Sequence, residues 1–159
     1  MDGDHAVSAD DYRALAELRY QLRSFMRFSE QAARRVGLQP QHHEALLALR
    51  GLPEEMTPTV GLLAERLQLE HQTAVELVDR LVQRGLIERT RDTTDRRQVL
   101  LSITAAGAEI LHDLAIEHRT ELRATRPALV GALRALLQTP APVPTPADIV
   151  RVTRHAMNA

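Results

Sequence analysis

Residues 59–104 constrain this chain more than any other stretch, because within them the hydrophobic period changes from that of a helix to that of a strand. Val60, Leu63, Ala64 and Leu67 repeat at helical spacing. The helix opens either at Thr57-Pro58, with proline in its first turn, or at Thr59, with a hydroxyl cap. Ala74, Leu77, Val78, Leu81 and Val82 then fall at i, i+3, i+4, i+7 and i+8, one buried stripe, and Gly85 supplies the left-handed stop. His71, Gln72, Val75, Glu76 and Asp79 are left to face outward. Two β-prone runs follow, 86–91 and 98–103, separated by the polar, turn-forming residues 92–97, which hold Asp95-Arg96-Arg97. The expected fold is mainly α with a small β-hairpin wing.

Two short helices, a tight turn and a hairpin with a basic tip form the pattern of a winged helix-turn-helix. Five segments carry a resemblance to a known family: Leu63-Ala64-Glu65-Arg66-Leu67, Leu77-Val78-Asp79-Arg80-Leu81, Arg84-Gly85-Leu86-Ile87-Glu88-Arg89, Asp95-Arg96-Arg97 and Leu101-Ser102-Ile103-Thr104-Ala105-Ala106-Gly107. In this order and spacing they resemble the multiple antibiotic resistance regulator (MarR) family, and the flanking helices extend the likeness more loosely to residues 12–138. The resemblance implies a bacterial, dimeric transcription regulator, a repressor in this reading. It also implies a pseudo-palindromic operator, read with helix 70–84 and wing 91–98, and affinity altered by a small ligand. The expected DNA-binding residues are His71, Gln72, Thr73, Val75, Glu76 and Arg80 on the helix, and Arg91, Asp95, Arg96 and Arg97 on the wing.

The chain departs from the family where it matters. Family members commonly have glycine and then serine where this chain has Gln68 and Glu70, and often a basic residue where it has Glu76. Glu70 is an acceptor and is expected to cap the second helix, less well than Asp or Ser. Glu76 has two readings. As a base reader its carboxylate accepts from a cytosine amine, beside Gln72 on an adenine edge. As a solvated side chain it pairs with Arg80 at i+4, and the presence of that partner favours the second reading. In the wing, the resemblance places Arg96 in the minor groove or on a phosphate, with Arg97 beside it. Asp95 is expected to hold an arginine rotamer rather than touch DNA.

Bulk attraction cannot drive nucleic-acid binding here, since the net charge is −1. Within 57–104, Arg66, Arg80, Arg84, Arg89, Arg91, Arg96 and Arg97 are matched one for one by Glu65, Glu70, Glu76, Asp79, Glu88, Asp92 and Asp95, which predicts a modest salt dependence. All 20 basic residues are arginine, a bias that GC-rich coding accounts for. With no cysteine, a disulfide framework, a thiolate metal site and a peroxide-sensing thiol are all excluded, and with them the redox-sensing branch of the family. The acidic start and the lack of an apolar run long enough for a membrane lead to the expectation of a cytoplasmic protein with no membrane partner.

By length the chain reads as a single domain, residues 1–159. Residues 39–104 form the winged helix, and 10–36 with 105–138 form an α-helical dimerisation region. Ser8 with Asp11 resembles a capping box, from which Leu15, Leu18, Leu22, Phe25, Ser29, Ala32 and Val36 form one seam ending at Gly37. Pro40 opens a helix ending at Gly51. Thr104 caps another, and Pro127 is expected to open a separate one. A homodimer made through these helices would place two reading helices about 34 Å apart on DNA. Residues 139–146, with four alternating prolines, read as a polyproline II spacer, and 147–157 as a last amphipathic helix that packs back or serves as a peptide ligand, packing being the commoner fate.

No phosphate loop, nucleophile elbow, kinase signature or zincin signature is present, so the chain is not expected to be an enzyme or to need a cofactor. His112 and His118 lie on different faces of one helix, and His42 and His43 diverge by about 100°, so no metal site is expected from either group. The histidines are expected to be exposed or at the edge of the core. Where the first helix, the helix at 40–50 and the helix after Thr104 meet, Arg23, Arg27, His42, His43 and His118 are candidates to bind an anionic aromatic effector. A winged helix turned to protein binding is the alternative function.

Overall fold

The computed structural model describes residues 7–91 and 98–138; Asp95, Arg96, Arg97 and the expected C-terminal spacer and helix lie outside these. The elements are α1 (Ala9–Arg35), α2 (Pro40–Arg50), α3 (Val60–Leu67), α4 (His71–Gln83), β1 (Ile87–Arg91), β2 (Val99–Ile103) and α5 (Ala105–Gln138). The strands form one antiparallel hairpin in which Ile87 faces Ile103 and Arg91 faces Val99. A predominantly helical chain with a two-stranded wing is the fold class expected from the sequence.

Two compact units divide the chain, each taking part of α1 and part of α5. The larger, Ser24–Ala124, contains the winged helix. Its centre is Leu38, Leu46, Leu63, Val78, Leu81, Ile87 and Leu114, each side chain fully buried and each contributing about 1.5–3 kcal/mol by its removal from water. In the smaller unit Ala14 and Ala132 are buried, while Tyr12, Leu15, Tyr20, Leu22, Leu133 and Leu137 are exposed. The start of α1 is the expected capping box: the Asp11 carboxylate accepts from the backbone N–H of Ser8 at 2.9 Å and from its hydroxyl at 2.7 Å, and the Asp11 N–H donates to Ser8 Oγ at 3.1 Å.

Three helices stop in the same way. At the end of α1, Leu38 N–H donates to Ala33 O and Gly37 N–H to Arg34 O, the paired bonds of a Schellman stop around a left-handed residue. After α4 the same pair runs from Leu86 to Leu81 and from Gly85 to Val82. After α3 it runs from Leu69 to Ala64 and from Gln68 to Glu65, so a glutamine sits at φ 54° where the other two stops use glycine. This is the first of the family departures seen in the sequence. It forces a side chain into a conformation that costs roughly 1–2 kcal/mol without glycine.

Of the two starts the sequence allows for α3, Thr59 is the one used: its hydroxyl accepts from Leu62 N–H at 3.2 Å. Two other expectations are corrected. Glu70 precedes α4 without making a side-chain cap bond, since its backbone alone takes the capping role. Pro127 does not open a new helix but lies inside α5, where the missing N–H costs one intrahelical bond and the helix runs on to Gln138.

The base of the wing is locked to the start of α5. Thr104 N–H donates to Leu86 O at 3.1 Å, the Thr104 hydroxyl donates to Gly85 O at 2.6 Å, and that hydroxyl accepts from Gly107 N–H at 3.2 Å. Gly107 packs so tightly that a Cβ there would lie 2.3 Å from Leu86 O and 2.9 Å from Ile103 Cγ2. Here the glycine is required by close approach rather than by its own torsion angles.

Candidate nucleic-acid interface

The turn between α3 and α4 is only Gln68, Leu69 and Glu70, which fixes α4 closely against α3. Ala74, Leu77, Val78 and Leu81 bury one stripe of α4, with Val82 at its margin. Helical geometry then turns the rest outward: His71, Gln72, Thr73, Glu76 and Arg80 are exposed, and Val75 and Asp79 half-buried. Gln72, Glu76 and Arg80, spaced by four, form one exposed row. Five of the six residues expected to read DNA from this helix are thus exposed, and Val75 is partly so.

Among the described residues, Arg80, Arg84 and Arg89 of this surface have internal partners. Arg80 Nη2 lies 3.4 Å from Glu76 Oε2, the i,i+4 pair favoured by the sequence. Arg89 of β1 holds Asp79 of α4 at 2.6 Å, tying the reading helix to the wing. Arg84 donates to Gly37 O at 2.9 Å, tying the end of α4 to the turn after α1. Neither Arg84 nor Arg89 was among the expected site residues. Their partners lie 47 and 10 positions away, separations that carry no periodic signal. Arg91, at the tip-side end of β1 opposite Val99, is exposed as a DNA contact requires.

The candidate effector residues do not come together as one set. His43 and His118 stack with ring centroids 4.8 Å apart, and Phe25 and Phe28 each meet His118 edge-on at 5.7 Å. His118 donates from Nδ1 to Leu114 O, which leaves Nε2 to accept from the Ser29 hydroxyl at 2.7 Å. Phe25, Phe28 and Ser29 are additions to this cluster: the sequence placed Phe25 and Ser29 on the helix seam, with no sign of a histidine partner. His42 faces elsewhere and is buried with no hydrogen-bond partner for Nδ1. Arg27 is exposed on α1, and Arg23, also exposed, belongs to the other compact unit.

His42 and His43 are therefore core residues and not the edge positions expected. Burial, and then the charge of His118, pushes His43 down to about 4 from the ordinary 6.5. Burial, and then Arg84 and Arg80, lowers His42. At neutral pH His43 is a neutral stacking partner, unable to supply charge to an anion. An open hollow of about 490 Å³ between α2 and α5 is lined by Leu47, Arg50, Leu111 and His112 among others, and by none of the five candidates. Among the described residues no group of histidines and carboxylates could hold a metal ion, and no helix is long and apolar enough to cross a membrane.

A buried-stripe helix behind a short turn, followed by a two-stranded wing packed on a long helix, defines a winged-helix protein. Residues 36–98 match the MarR family model. Over 71 residues the chain is 41% identical to the organic hydroperoxide resistance transcriptional regulator of Bacillus subtilis, covering 45% of this chain and 48% of that one. The chain spans about half the length of the curated relatives it matches.

Solved structures extend the likeness in fold to nearly the whole chain. A MarR family transcription regulator superposes with a TM-score of 0.67 at 20% identity over 93% of both chains. A mutant of S. aureus MepR bound to an oligodeoxyribonucleotide gives 0.57 at 16% identity over 87% of this chain and 89% of that one. CouR from Rhodococcus jostii, bound to p-coumaroyl-CoA, gives 0.57 at 21% identity over 88% and 85%. Residues 36–98 of this chain are thus similar to the MarR family on a winged-helix fold, and the curated relatives are named as transcription regulators.

Proposed function

We propose that this protein is a dimeric DNA-binding transcription repressor that lays α4 in the major groove and the 91–98 wing against the backbone or minor groove of each half of a pseudo-palindromic operator. The observation that carries this reading is the exposed polar row on the N-terminal part of α4, backed by a wholly buried stripe on its other side. The MepR complex with an oligodeoxyribonucleotide, on a similar fold, supports the choice of partner. Exposure of Leu15 and Leu22 on the α1 seam supports a second copy as their cover.

A small anionic aromatic molecule is proposed to release the operator, as the ligand of CouR is consistent with. Of the candidates in the larger unit, exposed Arg27 would supply the charge and half-buried His118 a ring surface, while His42 and His43 are buried. Having no cysteine, the chain cannot answer a hydroperoxide through a thiol, whatever its Bacillus relative does. An effector must therefore act by non-covalent binding that favours one arrangement of the dimer over another. The balanced local charge favours one other reading, a winged helix that binds protein.

Fluorescence anisotropy with DNA from the upstream region of its own gene, across a salt series, separates the two. Wild type is expected to bind tightly and selectively, and Arg96→Ala/Arg97→Ala to lose at least about tenfold in affinity with a shallower salt slope. Absence of binding at low salt by a folded protein favours the protein-binding reading. Titration calorimetry with aromatic acids that shows no heat removes the effector.

A further inference from the structure

Glu76 is the residue on the reading face with the most to lose on DNA, and its surroundings give it a specific use. It is the middle member of the exposed row Gln72, Glu76 and Arg80. Its bond to Arg80 is long, at 3.4 Å, and both side chains are more than half exposed, at 61% for Arg80 and 54% for Glu76. Such a pair is weak and exchangeable. Asp79 makes the contrast: its pair with Arg89 is 2.6 Å long, spans two elements, and has side chains 46% and 33% exposed. One carboxylate is free to change partners, and the other is a tether.

We propose that Glu76 sets a base preference, exchanging Arg80 for the exocyclic amine of a cytosine in the major groove. This rests on the DNA-binding reading above. A carboxylate only accepts hydrogen bonds, so of the groups on major-groove edges it is best satisfied by the cytosine N4 amine, less well by the adenine N6 amine with the N7 acceptor beside it, and is repelled by guanine O6 and N7 and by thymine O4. Where cytosine is present, the exchange also frees the Arg80 guanidinium for a backbone phosphate. Where it is absent, Glu76 either keeps Arg80, which then has no phosphate, or releases it and faces the groove as an uncompensated acceptor. Each site is thus judged twice, by the base contact and by the phosphate contact that depends on it.

The test is selection of duplexes from a randomised pool by wild type, Glu76→Ala, Glu76→Gln and Asp79→Asn, followed by anisotropy on the selected and a scrambled duplex. Wild type is expected to enrich cytosine at one position of each half-site. Glu76→Ala should lose that preference alone and bind the scrambled duplex about tenfold tighter or more. Glu76→Gln should move the preference to adenine, which glutamine pairs bidentately. Asp79→Asn, which removes the same charge, should keep the cytosine. Retention of the cytosine by Glu76→Ala overturns the proposal, as does an equal gain in affinity for both duplexes. If folded wild type enriches no sequence, the DNA-binding reading itself fails, a result distinct from either.

Discussion

The surface of α4 and the cluster around His43 use polar residues in opposite ways. On α4 the charged groups stay in water, and the long Glu76–Arg80 pair can be re-paired with another molecule at little cost. At the meeting of α1, α2 and α5 the polar rings are packed among phenylalanines and leucines, and changing their state disturbs the core. Both regions carry ionisable groups in quantity. Burial, not residue type, decides which are available for recognition and which are committed to stability.

The strongest way to break this contrast is to damage the platform both regions stand on. Gly107→Ala puts a methyl group 2.3 Å from Leu86 O, against backbone that cannot rotate away, and is expected to lower stability by about 3 kcal/mol or more in denaturant unfolding. A loss below about 1 kcal/mol would show that the join between wing and α5 can shift.

Acid should expose the buried region selectively. Because His43 is held below its ordinary 6.5, near 4, the unfolded chain takes up a proton first as pH falls. Stability is complete above about 6.5 and is lost progressively down to about 4, by an amount of order 2 kcal/mol; His42, shifted the same way, adds to it. His43→Leu should flatten the slope across that window. An unchanged slope would assign it to other groups.

Smaller effects sharpen the contrast at the surface. Gln68→Gly relieves the left-handed strain at the α3 stop and should raise stability by about 0.5–1 kcal/mol, the strain removed less the entropy that glycine adds to the unfolded chain. Glu76→Ala should move stability by less than about 0.5 kcal/mol, since it breaks only a solvated pair. A larger loss would make Glu76 a structural residue and remove the ground on which its exchange with Arg80 stands.

Local patterns made most of the fold legible. Period-3.6 stripes, the Ser8–Asp11 box, Thr59 or its neighbours, and the glycines at 37 and 85 all mark helices whose ends depend on nearby residues. Pro127 misled because its rule concerns the cost of a lost bond, and a long helix continues through a single such loss. The exposed row on α4 was legible for the same reason as the helices: once one face is known to be buried, geometry gives the other.

The order of helices, turn and wing, the face that α4 presents, and the absence of thiol chemistry were determined by the sequence alone, since each follows from residues within a few positions of one another or from composition. Tertiary structure decided that His42 and His43 are buried, that His118 stacks on His43 and bonds Ser29, and that Arg84 and Arg89 hold distant partners. Those outcomes join residues far apart in the chain. The free energy of a buried ring or an ion pair depends on what packing brings beside it, and that neighbour has no fixed spacing in the sequence.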